Sequence, residues 1–225
     1  MIDNFAGKTA VLTGAGSGFG LECARIGARL GMNLVLVDVQ QDALDAAAAE
    51  MQAAGSQVLA RKVDVSNAAQ MEQLAADVQQ RFGAPHLVFN NAGVGAGGLV
   101  WENSVKDWEW VLGVNLMGRG ARRAPVHPHD AGAAKADPAW RGHIVNTASM
   151  AGLLNAPNMG IYNVSKHAVV SCRNAVPGPV AGHRPDRRQR AVPVLCAHRH
   201  QPEPPQPPGD LPLKSPPRAS SSARP

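Results

Sequence analysis

Aromatic side chains make up only 4% of this 225-residue chain, with one tyrosine among them, and no apolar run approaches the roughly 18 residues that a membrane span needs. A transmembrane protein is therefore not expected. Cysteine is scarce as well: Cys23, Cys172 and Cys196 form no close ligand pair and are too small a set for a disulfide framework. No metal site is expected from them. The first residues, Met-Ile-Asp-Asn-Phe, carry no basic and apolar signal stretch, so a reducing, cytoplasmic setting is the expectation.

Proline is nearly absent from residues 1–118, which hold Pro85 alone, 7 Lys and Arg and 12 acids, whereas residues 119–225 hold 17, 15 and 5. The net charge of +5 thus hides an acidic front and a strongly basic back. Such a balance often signals nucleic-acid binding. Here the excess sits in two odd stretches, 119–132 and about 172–225, and says little about the part that folds.

What the front contains is regular alternation. Residues 8–14 (KTAVLTG) and 33–38 (NLVLVD) are short β-branched and apolar runs, and 18–31 between them carries apolar residues at helical spacing. The pattern continues with a helix over 41–54, a strand over 57–62, a helix over 67–82, a strand over 86–90, a helix from about 106, a strand over 143–148 and a helix from about 160. Strands alternating with helices predict an α/β fold: a doubly wound, Rossmann-type parallel sheet covered on both faces.

After Ser171 the composition changes, and 13 prolines lie between 177 and 225, a density that predicts neither helix nor central strand. The plain reading is a domain over 1–171 followed by a disordered basic tail over 172–225, with the C-terminal strands lost. The genetic code offers a sharper one. Residues 174–200 can be written in codons that, read one base later, give TLYQDLSLVTDQIGVSVLCPYFVPTGI, a helix followed by an apolar strand and a turn. Residues 119–132 (RGARRAPVHPHDAG) likewise shift to VAHGVRLFTPMML, an amphipathic continuation of the helix before it. Two independent matches, each supplying the missing element, point to reading-frame errors in the underlying gene or its sequencing.

Chemistry concentrates at the ends of the expected strands. Thr13-Gly14-Ala15-Gly16-Ser17-Gly18-Phe19-Gly20 packs four glycines into the turn that opens the first helix, where backbone N–H groups and the helix dipole can meet a pyrophosphate. By itself such a turn is a weak signal. Asp38 ends the second strand about 20 residues on, placed to accept hydrogen bonds from both ribose hydroxyls of an adenosine. Its charge would repel a 2′-phosphate, and neither Ser17 nor Val39 is basic, so NAD is favoured over NADP. Asp64-Val65 closes the third strand and Asn90-Asn91-Ala92-Gly93 the fourth, where ligands of open sheets sit, although Asn91 reads equally well as a turn residue. Tyr162 and Lys166 stand at i and i+4 on one helical face, so the ammonium can lower the phenol's pKa from about 10 towards working pH. Ser149 lies at the end of the preceding strand.

Taken together, TGAGSGFG, Asp38, NNAG, Asn115 in VNLMG, Ser149 and YNVSK stand in an order and spacing that resembles the short-chain dehydrogenases/reductases over about residues 5–171, with 119–132 excepted. The resemblance implies nicotinamide hydride transfer with a catalytic tetrad of Asn115, Ser149, Tyr162 and Lys166. In that scheme Asn115 stabilises a water that links Lys166 to solvent. The implied cofactor contacts are Gly14, Ser17, Gly18, Phe19, Gly20, Asp38, Asp64, Val65, Asn91, Ala92, Gly93, Tyr162 and Lys166. Intact relatives are expected to form homo-oligomers through the helix after Asn115, which Arg119, Arg122, Arg123, Pro125 and Pro128 disrupt here. Each internal proline costs a helix about 3 kcal/mol. The family also has a sixth strand, a substrate loop and a seventh strand where this chain has its tail, so the chain as written is expected to fold poorly beyond 171 and to be nearly inactive.

The function expected is interconversion of a small-molecule secondary alcohol and a ketone. Residues 93–100 and 150–158 would border the pocket and are mostly small or apolar, which suggests an uncharged substrate. A catalytically impaired dinucleotide-binding protein is the alternative. Nucleic-acid binding by the tail is disfavoured, because no aromatic residue follows Tyr162 to stack a base.

Overall fold

The computed structural model describes residues 4–119, 142–172 and 189–195, with Arg119 and the last stretch as backbone only. Six parallel strands form one sheet in the order β3-β2-β1-β4-β5-β6: β1 (Thr9–Thr13), β2 (Asn33–Asp38), β3 (Val58–Lys62), β4 (Leu87–Asn90), β5 (Gly142–Ala148) and β6 (Gln189–Leu195). The helices are α1 (Gly18–Arg29), α2 (Gln41–Ala53), α3 (Ala68–Phe82), α4 (Val105–Asn115) and α5 (Gly160–Cys172). Their boundaries fall within one or two residues of the sequence expectation, because each apolar run is punctuated by a cap, a glycine or a change of period. The α/β doubly wound sheet is thereby observed.

Strand periodicity divides the core. Ala10, Leu12, Leu34 and Leu36 point to one face and are buried against Ala24 and Ala28 of α1 and Leu44, Ala47 and Met51 of α2. Val11, Val35 and Val37 point to the other face and meet Leu74, Ala75 and Val78 of α3. Two covered faces explain why β1 and β2 read as continuous apolar runs rather than alternating ones. Asn67 and Ser104 cap α3 and α4 through their side chains, whereas Ser17 at the start of α1 makes no such bond.

β6 corrects one expectation. The C-terminal strands were expected to be lost and the proline density was read as excluding a central strand after 171; Gln189–Leu195 pairs with β5 along its whole length, but at the edge of the sheet, Pro193 standing opposite Asn146. An edge strand leaves alternate N–H groups pointing away from its only neighbour, and there a proline costs no ladder bond. The strand lies where the shifted reading of the code places VSVLCP, at residues 188–193. Residues 120–132 and the rest of the tail beyond Cys172 lie outside the described residues, as does Cys196. No helix among the described residues is long and apolar enough to cross a membrane.

Candidate active site

In the strand order, the chain reverses direction between β1 and β4, and the crevice of an open parallel sheet lies at that point, beyond the carboxyl ends of the strands. β1 delivers the glycine turn there and β4 delivers Asn91. Thr13 joins the two: its hydroxyl accepts the N–H groups of Asn91 (2.9 Å) and Ala92 (3.0 Å) and donates to the Phe89 carbonyl (3.4 Å). The turn is so tight that a Cβ on Gly20 would sit 1.9 Å from the Gly14 carbonyl oxygen, and Gly14 itself has a φ of +66°. Gly20 is therefore glycine by exclusion of any side chain.

Asp38 stands at the end of β2, beside the glycine turn. Its Oδ2 accepts the Gly16 N–H at 2.8 Å and its Oδ1 the Gln40 N–H at 3.0 Å, so the carboxylate is oriented while each oxygen keeps a lone pair. The neighbouring Phe19 and Val39 are exposed. Asp64 is engaged locally: its Oδ1 accepts the N–H (2.9 Å) and hydroxyl (2.7 Å) of Ser66 in the turn that begins α3, while Val65 is buried.

The second half of the site is built on β5 and α5. Lys166 is only 3% exposed, its Nζ donates to the Thr147 carbonyl at 3.3 Å, and it lies 5.4 Å from the centroid of the buried Tyr162 ring. Thr147 also donates its hydroxyl to Asn91 Oδ1 at 3.0 Å, which ties the Lys166 anchor to the glycine crevice. Ser149 is buried where β5 ends; its oxygen accepts the Ala151 N–H at 3.2 Å, which leaves the hydroxyl proton to be donated elsewhere. Helix α5 approaches this turn closely because Gly152 has no side chain: a Cβ there would lie 2.6 Å from the Lys166 carbonyl oxygen. Asn115, wholly buried, accepts the Val94 N–H (2.8 Å) and donates to the Val94 carbonyl (2.9 Å) and to Ser165 Oγ (3.1 Å).

A dinucleotide suits these residues. The start of α1 offers N–H groups without a side-chain cap, the glycine turn excludes side chains, and an oriented carboxylate stands at the end of β2. Among the described residues no three or more His, Cys, Asp or Glu side chains gather to hold a metal.

Comparison with known proteins decides the family. The family model for short chain dehydrogenases matches residues 8–184. The chain belongs to the short-chain dehydrogenase family. A short-chain dehydrogenase/reductase from Burkholderia phymatum, solved in complex with NAD, is 46% identical, with a TM-score of 0.78 over 86% of this chain and 66% of that one. Cyclohexanol dehydrogenase of Acinetobacter sp. strain SE19 is 35% identical over 78% of this chain and 68% of its own length. A CLA biosynthesis dehydrogenase/reductase of Lactiplantibacillus plantarum is 33% identical over 76% of this chain and 58% of its own. The chain thus spans about three fifths to two thirds of the length of these short-chain dehydrogenases.

Sequence reasoning placed Asn115, Ser149, Tyr162 and Lys166 on elements that the structure gathers at one end of the sheet, with Gly14, Asp38, Asn91 and Ala92 across the same crevice. It missed Thr13, Thr147, Gly152 and Ser165, each of which has a partner 14 to 79 residues away. Only the position of Thr13 at the strand end beside the glycines hinted at a role. Gly20→Ala should destabilise the fold by at least about 1–3 kcal/mol through overpacking, while Gly95→Ala, whose Cβ would meet nothing within 4 Å, stays within about 0.5 kcal/mol. Urea unfolding of both variants measures the difference, and equal stabilities would contradict the packing of the turn.

Proposed function

We propose that the chain is an NAD-dependent oxidoreductase that interconverts a secondary alcohol and a ketone. The observation that carries the reading is the buried Lys166 ammonium, held by the Thr147 carbonyl and lying beside the ring of Tyr162. A positive charge next to a phenol favours its ionised form, and a phenolate in a crevice is a base for an alcohol proton.

When bound, the nicotinamide supplies the hydride acceptor at its C4. Tyr162 would take the hydroxyl proton of the alcohol, the base the oxidation needs while the nicotinamide supplies the hydride acceptor. Ser149 donates its hydroxyl proton as a hydrogen bond to the substrate oxygen. Lys166 would favour the ionised phenol and hold the nicotinamide ribose. The N–H groups at Ser17, Gly18, Phe19 and Gly20 would hold the pyrophosphate, Asp38 the adenosine ribose, and Asp64, Val65, Asn91, Ala92 and Gly93 would line the remaining contacts. By the family resemblance, Asn115 would belong to the same machinery by stabilising a water between Lys166 and solvent.

Asp38 supports NAD rather than NADP, since a carboxylate already oriented by Gly16 and Gln40 would face a 2′-phosphate with no basic residue at Ser17 or Val39 to offset it. The NAD complex of the Burkholderia relative supports the same choice. The mostly apolar stretches 93–100 and 150–158, with Val100, Leu153 and Leu154 exposed, support an uncharged substrate, as does the cyclohexanol dehydrogenase relative.

With NAD and a panel of secondary alcohols, Tyr162→Phe should lose at least about a hundredfold in turnover, the scale of a general base, and keep cofactor binding. Asp38→Ala combined with Val39→Arg should turn the cofactor preference towards NADP. Turnover by the Tyr162→Phe variant at the native rate, or tighter NADP binding by the native chain, would contradict the reading.

A further inference from the structure

Ser165 is fully buried in the middle of α5, one residue before Lys166, and both sides of its hydroxyl are occupied. The oxygen accepts Asn115 Nδ2–H at 3.1 Å and the hydroxyl donates to the main-chain carbonyl of Tyr162 at 2.8 Å. A helical serine that bonds back to the preceding turn is ordinary by itself. The second bond is not local, because Asn115 lies 50 residues away at the end of α4 and is itself clamped to both main-chain groups of Val94.

We infer that Ser165 is a positioning residue that fixes the register of the Tyr162–Lys166 helix against α4 and β5. This rests on the acid–base reading of Tyr162 and Lys166 and adds a group that touches neither substrate nor cofactor. The direction of the bonds is determined. Asn115 spends its carbonyl on the Val94 N–H, so its amide group faces Ser165, and the serine proton must go to Tyr162. The result is a continuous path from the loop after β4, through Asn115 and Ser165, to the backbone that carries the phenol.

Register matters because the Lys166 ammonium is held from two directions. Its stem leaves α5, but its head is bonded to Thr147 on β5 at 3.3 Å, long for such a bond. A slide of α5 would change the length of that contact and with it the distance between the ammonium and the ring. Ser165→Ala removes the bridge, leaves a buried Asn115 proton unpaired, and improves helix propensity, so helix loss is not the expected failure.

Tyr162 is the only tyrosine of the chain, so labelling with [13Cζ]-tyrosine gives one signal whose pH titration reports this phenol in the full chain without cofactor or substrate. Lys166→Met should raise the midpoint towards the ordinary value of about 10. Ser165→Ala should raise it by about half a unit to one unit, a three- to tenfold change in ionisation. Ser165→Thr, whose hydroxyl can bond the same carbonyl, should restore the native midpoint. If Lys166→Met leaves the midpoint unchanged, the acid–base reading itself falls. If Lys166→Met moves it and Ser165→Ala does not, Ser165 only packs the helix and the inference is overturned. Should the methyl of the threonine variant prevent folding, as circular dichroism would show, the alanine variant decides alone.

Discussion

A buried ammonium must be hydrogen-bonded or it costs several kcal/mol, and the burial of Lys166 is the constraint from which the site is organised. Its bond to the Thr147 carbonyl requires β5 to end where α5 begins its second turn, and the same threonine passes the constraint on through its hydroxyl to Asn91. Asn91 is held in turn by Thr13, and Thr13 is the last residue before the glycine turn. The charge that would ionise the phenol and the turn that would hold a pyrophosphate are thus joined by three side chains on neighbouring strands. A displacement at either end is felt at the other. The close approaches at Gly20 and Gly152 allow this, one seating α1 on β1 and the other seating α5 on the turn after β5.

The elements that were legible in the sequence are those whose signal is local. β1 and β2 declared themselves by three and four consecutive apolar residues, α3 and α4 by their place in the strand–helix alternation, and the crevice by glycines at fixed spacing next to a strand. The Tyr162–Lys166 pair was legible because a helix brings i and i+4 together whatever the rest of the chain does. Thr13, Thr147 and Ser165 were not, since a hydroxyl acquires meaning only from a partner on another element, and no spacing rule connects Thr147 to Asn91 or Ser165 to Asn115. Ser66 is a further example: its N–H and hydroxyl both bond Asp64 Oδ1 in the turn before α3, a pairing that no spacing rule announced.

The tail shows how composition can hide an element. Averaged over 49 residues, 13 prolines argue against any sheet structure, but β6 needs only seven residues and has just one proline among them, on the outer edge. The reading-frame interpretation and this strand are compatible, since the shifted code also places an apolar run there.

The central claim is that the glycine crevice and the Tyr162–Lys166 pair form one site. The single tyrosine tests it directly: NAD titrated into [13Cζ]-tyrosine-labelled protein should shift the one phenol signal, saturating in step with cofactor binding measured by calorimetry. Binding that leaves the signal unmoved would place the dinucleotide elsewhere and contradict the account.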